Sequence, residues 1–116
     1  MNSILNTVKK MIGLMEEDTS FDTDLIIIIN SVLTELTQIG VGDPKGFQIY
    51  GADEEWTDFI QNDSPRFNLI QTYVFLKTRM IFATPNSVTL NSNNEILKEL
   101  EWRIFAEADY HSFGDT

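Results

Sequence analysis

FNLIQTYVFLKTRMIF, running from Phe67 to Phe82, is the stretch whose reading decides the fold. Wound as a helix, it sets Phe67, Ile70, Val74 and Ile81 on one side and Leu69, Tyr73, Leu76 and Met80 on a second. Phe75 and Phe82 stand on a third side, which leaves a polar strip of Asn68, Thr72 and Arg79. A helix at a protein surface needs one apolar stripe, whereas a helix that is apolar on most sides packs among several others. Ser64 is placed to cap its start. Pro65 suits the first helical position, where a missing N–H leaves nothing unpaired, and Pro85 stops the far end. Gln71, Thr72, Lys77 and Arg79 interrupt the run too often for a membrane span. The pattern predicts a central core helix over about 65–84.

The rest of the chain supplies what such a helix needs around it. Ile4, Leu5, Val8, Met11 and Ile12 recur at helical spacing, with Asn2 or Ser3 as cap and Gly13 at the left-handed position beyond the end. Lys9 and Lys10 near that end suit the helix dipole. After the acidic run Glu16–Asp18 a second helix is predicted, reaching about Ile39. Asp22 serves as its cap, with Phe21 and Ile26 as a hydrophobic staple, and Ser20 is the competing cap. Leu25, Ile28, Ile29, Val32, Leu36 and Ile39 form its stripe, widened by Ile26 and Leu33. The four isoleucines favour a strand locally, but the stripe is too long for one. Ile27 falls on the opposite side, beside Ser31, Thr34 and Gln38.

Gly40, Gly42, Pro44 and Gly46 mark a loop, and the residues near 46–50 form one short extended segment. Asp53 is a cap for a short helix carrying Trp56, Phe59 and Ile60. The last helix begins near Val88, or at Ser92 with Glu95 completing a capping box. Its inward stripe is Ile96, Leu97, Leu100 and Ile104, with Trp102 on the other side and Phe105 at the edge. Residues 109–116 have no apolar period and read as a flexible tail behind a domain of residues 1–108. The expectation is an all-α domain of about five helices.

Composition excludes more than it assigns. A chain of 116 residues forms one domain with a sizeable core, and without cysteine it contains no disulfide. No signal peptide is visible, because Lys9 and Lys10 break the first apolar run, so synthesis in the cytoplasm is expected. Eighteen acidic side chains against eight basic ones give a net charge of −10. That balance repels phosphate and argues against wrapping a nucleic acid. It fits solubility, a basic partner, or the wall of a passage along which nucleic acid slides without sticking.

No catalytic pattern stands out. There is no nucleophile elbow, phosphate-cradling glycine loop or dinucleotide fingerprint. The single histidine, His111, lies in the tail. Glu16, Glu17, Asp18, Asp22 and Asp24 lack the alternation of a calcium loop and sit where acids favour a helix start. Neither a catalytic residue nor a metal or cofactor site is expected. Ile27 and Trp102 are predicted on polar faces, with Phe105 at the edge of its stripe and Tyr50 in the extended segment. Exposed apolar and aromatic residues of this kind mark places where one protein docks on another. For Trp102 the competing expectation is that the loop from Val41 to Asn62 folds over it.

The order of features resembles a known family. KKMIGL (Lys9–Leu14) is followed by an acidic loop and SFDTDLIIIINSVLTELTQIGVG (Ser20–Gly42). Then come GFQI (Gly46–Ile49), EEWTDFI (Glu54–Ile60), LIQTYVFLKTRMIF (Leu69–Phe82) and ILKELEWRI (Ile96–Ile104). This succession is similar to that of the small head–tail connector (adaptor, head-completion) proteins of tailed bacteriophages and prophages. The likeness implies a helical subunit that forms a ring with its own copies beneath the portal protein. Such a ring receives a tail or stopper protein and passes DNA without sequence-specific binding, at the virion head–tail junction and away from any membrane. The family has no known active site, so the resemblance transfers no catalytic residue. The alternative reading is an acidic DNA mimic or other interaction module for a basic partner, which needs carboxylates spaced along one face.

Overall fold

The computed structural model describes residues 3–60, 67–83 and 87–114. Five helices follow in order: α1 (Ile4–Met11), α2 (Asp22–Gln38), α3 (Trp56–Phe59), α4 (Phe67–Phe82) and α5 (Ser87–Gly114). Among the described residues there is no strand, and residues 46–50 run as irregular chain. The predicted caps Asn2, Ser64 and Pro65 and the stop at Pro85 lie outside the described residues.

α4 is the centre, as its pattern of apolar sides requires, and it packs against α1, α2 and α5. Ile70, Tyr73 and Val74 are fully buried on it, while Asn68, Thr72 and Arg79 form the exposed strip. Ile81 departs from the predicted pattern. It lies in the last turn, beside the start of α2 but not covered by it, and is exposed. The remaining core comes from Ile4, Leu5 and Val8 of α1, from the Leu25–Leu36 stripe of α2, and from Leu97, Leu100 and Ile104 of α5.

α1 and α2 both end in a Schellman motif. Gly13 and Gly40 take positive φ, and their amides and those of Leu14 and Val41 return to the last turn of each helix. At the start of α1 the Ser3 hydroxyl accepts the Asn6 amide at 3.2 Å, as a cap should.

The expected start of α2 is displaced by one residue. Phe21 occupies the cap position and Asp22 is the first helical residue. The Asp22 carboxylate is turned instead toward Lys9, whose ammonium lies 2.9 Å away. The contact has ion-pair distance without hydrogen-bond alignment, since Asp22 Oδ1 has no hydrogen-bond partner among the described residues. Lys9 also donates to the Glu16 carbonyl at 2.9 Å and is 1% exposed. Lys9 is therefore a buried tie between α1 and α2 rather than a solvent-facing dipole charge. Met11, predicted inward, is exposed in its place.

α3 is pinned from both sides. The Trp56 indole N–H donates to the Thr7 hydroxyl at 2.8 Å, and its ring meets Phe75 edge-on at 5.9 Å. Glu55, not Asp53, is its cap residue, and the Glu55 amide donates to the Asp58 carboxylate at 2.8 Å. α5 starts at Ser87, so the tract Asn91–Asn94 lies within it and Ser92 is no cap. The helical backbone continues to Gly114, past Ala108 where the apolar period stops.

Candidate functional site

Surface chemistry starts from what the core leaves over. Among the described residues no group of side chains is arranged to hold a metal ion. The hollow beside the 46–50 segment, of about 490 Å³, is lined by Thr34, Gln38, Lys45, Phe47 and Tyr50. Its titratable side chains, Lys45 and Tyr50, form no acid–base pair. Its shape comes from one unusual contact. The Asn30 side chain accepts the Ile49 amide at 2.7 Å and donates to the Ile49 carbonyl at 2.9 Å, so a side-chain amide stands in for a neighbouring strand. Glu54 then accepts the Tyr50 amide at 3.0 Å and the Gly51 amide at 3.3 Å. Ile49 is thereby held in the core while Tyr50 projects outward, 79% exposed.

The other predicted contact residues are also solvent-facing: Ile27 is 64%, Trp102 67% and Phe105 47% exposed. The described part of the loop after α2, residues 41–60, leaves Trp102 exposed. These residues do not form one patch. Ile27 belongs to a surface hollow of about 500 Å³ where the start of α2 meets the end of α4, lined also by Phe21, Asp24, Ile28, Ile81 and Phe82. Phe21 and Phe82 meet edge-on at 5.3 Å and form its floor. The periodicity alone missed this hollow because it assigned Phe21 to a staple and Ile81 to the core. The usable signal was that both fall at helix ends, where burial by neighbours runs out.

The second surface is the outer face of α5. Leu97, Leu100 and Ile104 turn toward α4, and Trp102 falls roughly opposite them. Phe105 and Lys98, three residues after and four before Trp102, lie on the same side. Glu99 on the adjoining flank is neutralised by Arg103 at 2.7 Å. Ile96, predicted inward, is exposed on the other flank, because the helix rotates to place Glu101 toward α4.

Glu101 is part of a polar node that ties three helices. The Tyr73 hydroxyl of α4 lies 2.8 Å from Glu101 of α5 and 3.1 Å from Glu35 of α2. Lys77 stands 3.4 Å from Glu35. A phenol has one proton and so donates to one carboxylate at a time. Burial, then the Glu101 hydrogen bond and the two nearby carboxylates, hold the Tyr73 phenol far above its ordinary pKa. The node is structural, since a phenol that stays protonated offers no base.

Many of the acidic side chains are occupied in this way. Asp18 accepts the Ser20 amide and Asp43 the Lys45 amide, besides the roles of Asp22, Glu35, Glu54, Asp58, Glu99 and Glu101. Among the described residues these carboxylates are spread over helix starts, turns and the three-helix node and do not form a single row along one face. Among the described residues the surface carries two separate exposed apolar areas and a projecting tyrosine. Residues 4–111 match the model of a family described as phage connector protein. No curated protein and no solved structure gives a significant match.

Proposed function

The chain belongs to the phage connector protein family, and on that premise we propose that it is a structural subunit of the head–tail junction. In this reading, copies form a ring beneath the portal protein, extend the DNA channel and receive a tail or stopper protein. The family is one of structural proteins and not of enzymes. The observation that carries the reading is the extent of the match, residues 4–111, which spans α1 to α4 and most of α5. The surfaces support it: Ile27, Trp102, Phe105 and Tyr50 are available for contacts with copies or neighbours, and aromatic residues of this kind anchor interfaces. A net charge of −10 suits a wall past which DNA must slide without sequence-specific binding.

The test is addition of the purified protein to capsids that carry the portal and lack this subunit, followed by electron microscopy. A ring of density beneath the portal, and capsids newly able to accept tails, are the expected results. Capsids that neither bind the protein nor need it for tail attachment would refute the assignment.

A further inference from the structure

We infer that the hollow between the start of α2 and the end of α4 receives the Trp102 face of α5 from a second copy of this chain. The inference rests on the proposal that copies assemble with one another, and it names the two surfaces that meet.

Both halves of the contact are on one chain. The hollow, about 500 Å³, is walled by Phe21, Ile27, Ile28, Ile81 and Phe82, and among the described residues its charged lining residue is Asp24. It has the size and chemistry to take an indole ring. The opposing face presents Trp102, two-thirds exposed, with Phe105 one turn on and Lys98 one turn back. Neither Asp24 nor Lys98 forms an ion pair among the described residues. Two molecules of charge −10 repel each other, so they meet best where a local cation faces a local anion. With the indole seated in the hollow, Lys98 is placed against Asp24. The neighbouring Glu99 is already neutralised by Arg103, and Glu95 lies on the same side two turns before Trp102, farther along the helix than Lys98.

The two surfaces cannot satisfy each other within one copy. The Tyr73–Glu101 contact sets that part of α5 beside the middle of α4, while the hollow lies at the end of α4. Trp102 also points away from α4. The contact is therefore between copies, and it joins different patches on the two partners. A contact of that kind leaves a free hollow and a free Trp102 face at the ends, and it adds subunits until a ring closes or a filament grows.

The chain has no cysteine, so disulfide trapping reads the contact directly. Ile27→Cys and Phe105→Cys proteins are oxidised separately and as a mixture, with a Thr57→Cys protein as the collision control. The expected result is a mixed dimer well above the control in the mixture, with little dimer in either protein alone. Asp24→Lys or Lys98→Glu added to the pair should each lower trapping about tenfold, and the two together should restore it. Trp102→Ala should lower it at least about thirtyfold, as loss of a central aromatic anchor does. Trapping no better than the control, or no rescue by the double reversal, overturns the inference. If the unmodified protein still forms a ring on portal-bearing capsids in that case, the proposed function stands and other faces make the ring. Strong dimers from Ile27→Cys alone would show a closed two-fold contact at the hollow and overturn the inference, while ring formation on portal-bearing capsids would still decide the proposed function.

Discussion

Replacing Asn30 by alanine should loosen the segment that carries Tyr50 and cost more than any ordinary surface substitution. The Asn30 amide satisfies both backbone groups of Ile49, at 2.7 and 2.9 Å, and Ile49 itself is fully buried. Stranding a buried polar group costs about 1–3 kcal/mol. Two are stranded here, but the segment is close enough to solvent for water to relieve part of the loss. The expected destabilisation is about 2–4 kcal/mol, read as a shift in the urea unfolding midpoint at unchanged slope. Hydrogen exchange at the Ile49 amide should accelerate more than exchange in α4. Asn30→Asp sharpens the test. Its carboxylate still accepts the Ile49 amide but sets a negative oxygen against the Ile49 carbonyl, so at neutral pH it should be at least as damaging as alanine. Protonation restores a donor, and the folded state therefore favours the protonated acid. The deficit relative to the unmodified protein should shrink as pH falls through the carboxyl range. An alanine variant that loses less than about 1 kcal/mol, or an aspartate variant indifferent to pH, would refute the reasoning.

Four further outcomes are expected. Asp22→Ala leaves the buried Lys9 ammonium with the Glu16 carbonyl as its remaining partner and should cost about 2–4 kcal/mol in denaturant unfolding, whereas Lys9→Met, which removes the buried charge itself, should cost much less. The raised pKa of Tyr73 means that the unfolded chain releases this proton at about pH 10 while the native protein keeps it. Its contribution is complete below that pH, so stability should fall as pH rises above it, and Tyr73→Phe should remove that part of the dependence. Gly42 has φ +76° and a Cβ there would meet the Phe59 ring at 3.0 Å and the Phe59 carbonyl at 3.2 Å, so Gly42→Ala should lower the melting temperature by several degrees, about 1–3 kcal/mol. Trp102→Ala should change monomer stability by less than about 1 kcal/mol, because the side chain is already mostly in water. A large loss in that variant would place Trp102 in the core.

Several of the places where pattern reading and structure part company are places where a side chain found a partner distant in sequence. Asp22 has the letters of a helix cap, yet Lys9 from the previous helix holds its carboxylate. Lys9 carries a charge, which in a periodic reading belongs outside, yet two oxygens make its burial tolerable. Ile96 fits the inward stripe of α5 by spacing, but Tyr73 draws Glu101 toward α4 and the helix turns with it. Ile81 continues the stripe of α4 into the last turn, where it borders the hollow beside the start of α2 and stays exposed. No one-dimensional pattern contains these partners, because each depends on which helices lie side by side.

Helix identity, the central place of α4, the ends of α1 and α2 and the outward direction of Ile27 were legible in local order, whereas the exposure of Trp102 and the projection of Tyr50 were decided by the tertiary structure. Apolar spacing and left-handed glycines act within a few residues of themselves, and so did the order of segments that pointed to the connector family. Tertiary structure alone decided that Ile27 lies in a hollow with Phe21 and Phe82, that Asn30 serves as a strand for Ile49, and that one phenol ties three helices. Those outcomes come from residues far apart in the chain being brought within hydrogen-bond or van der Waals reach, a condition only the packed core can impose.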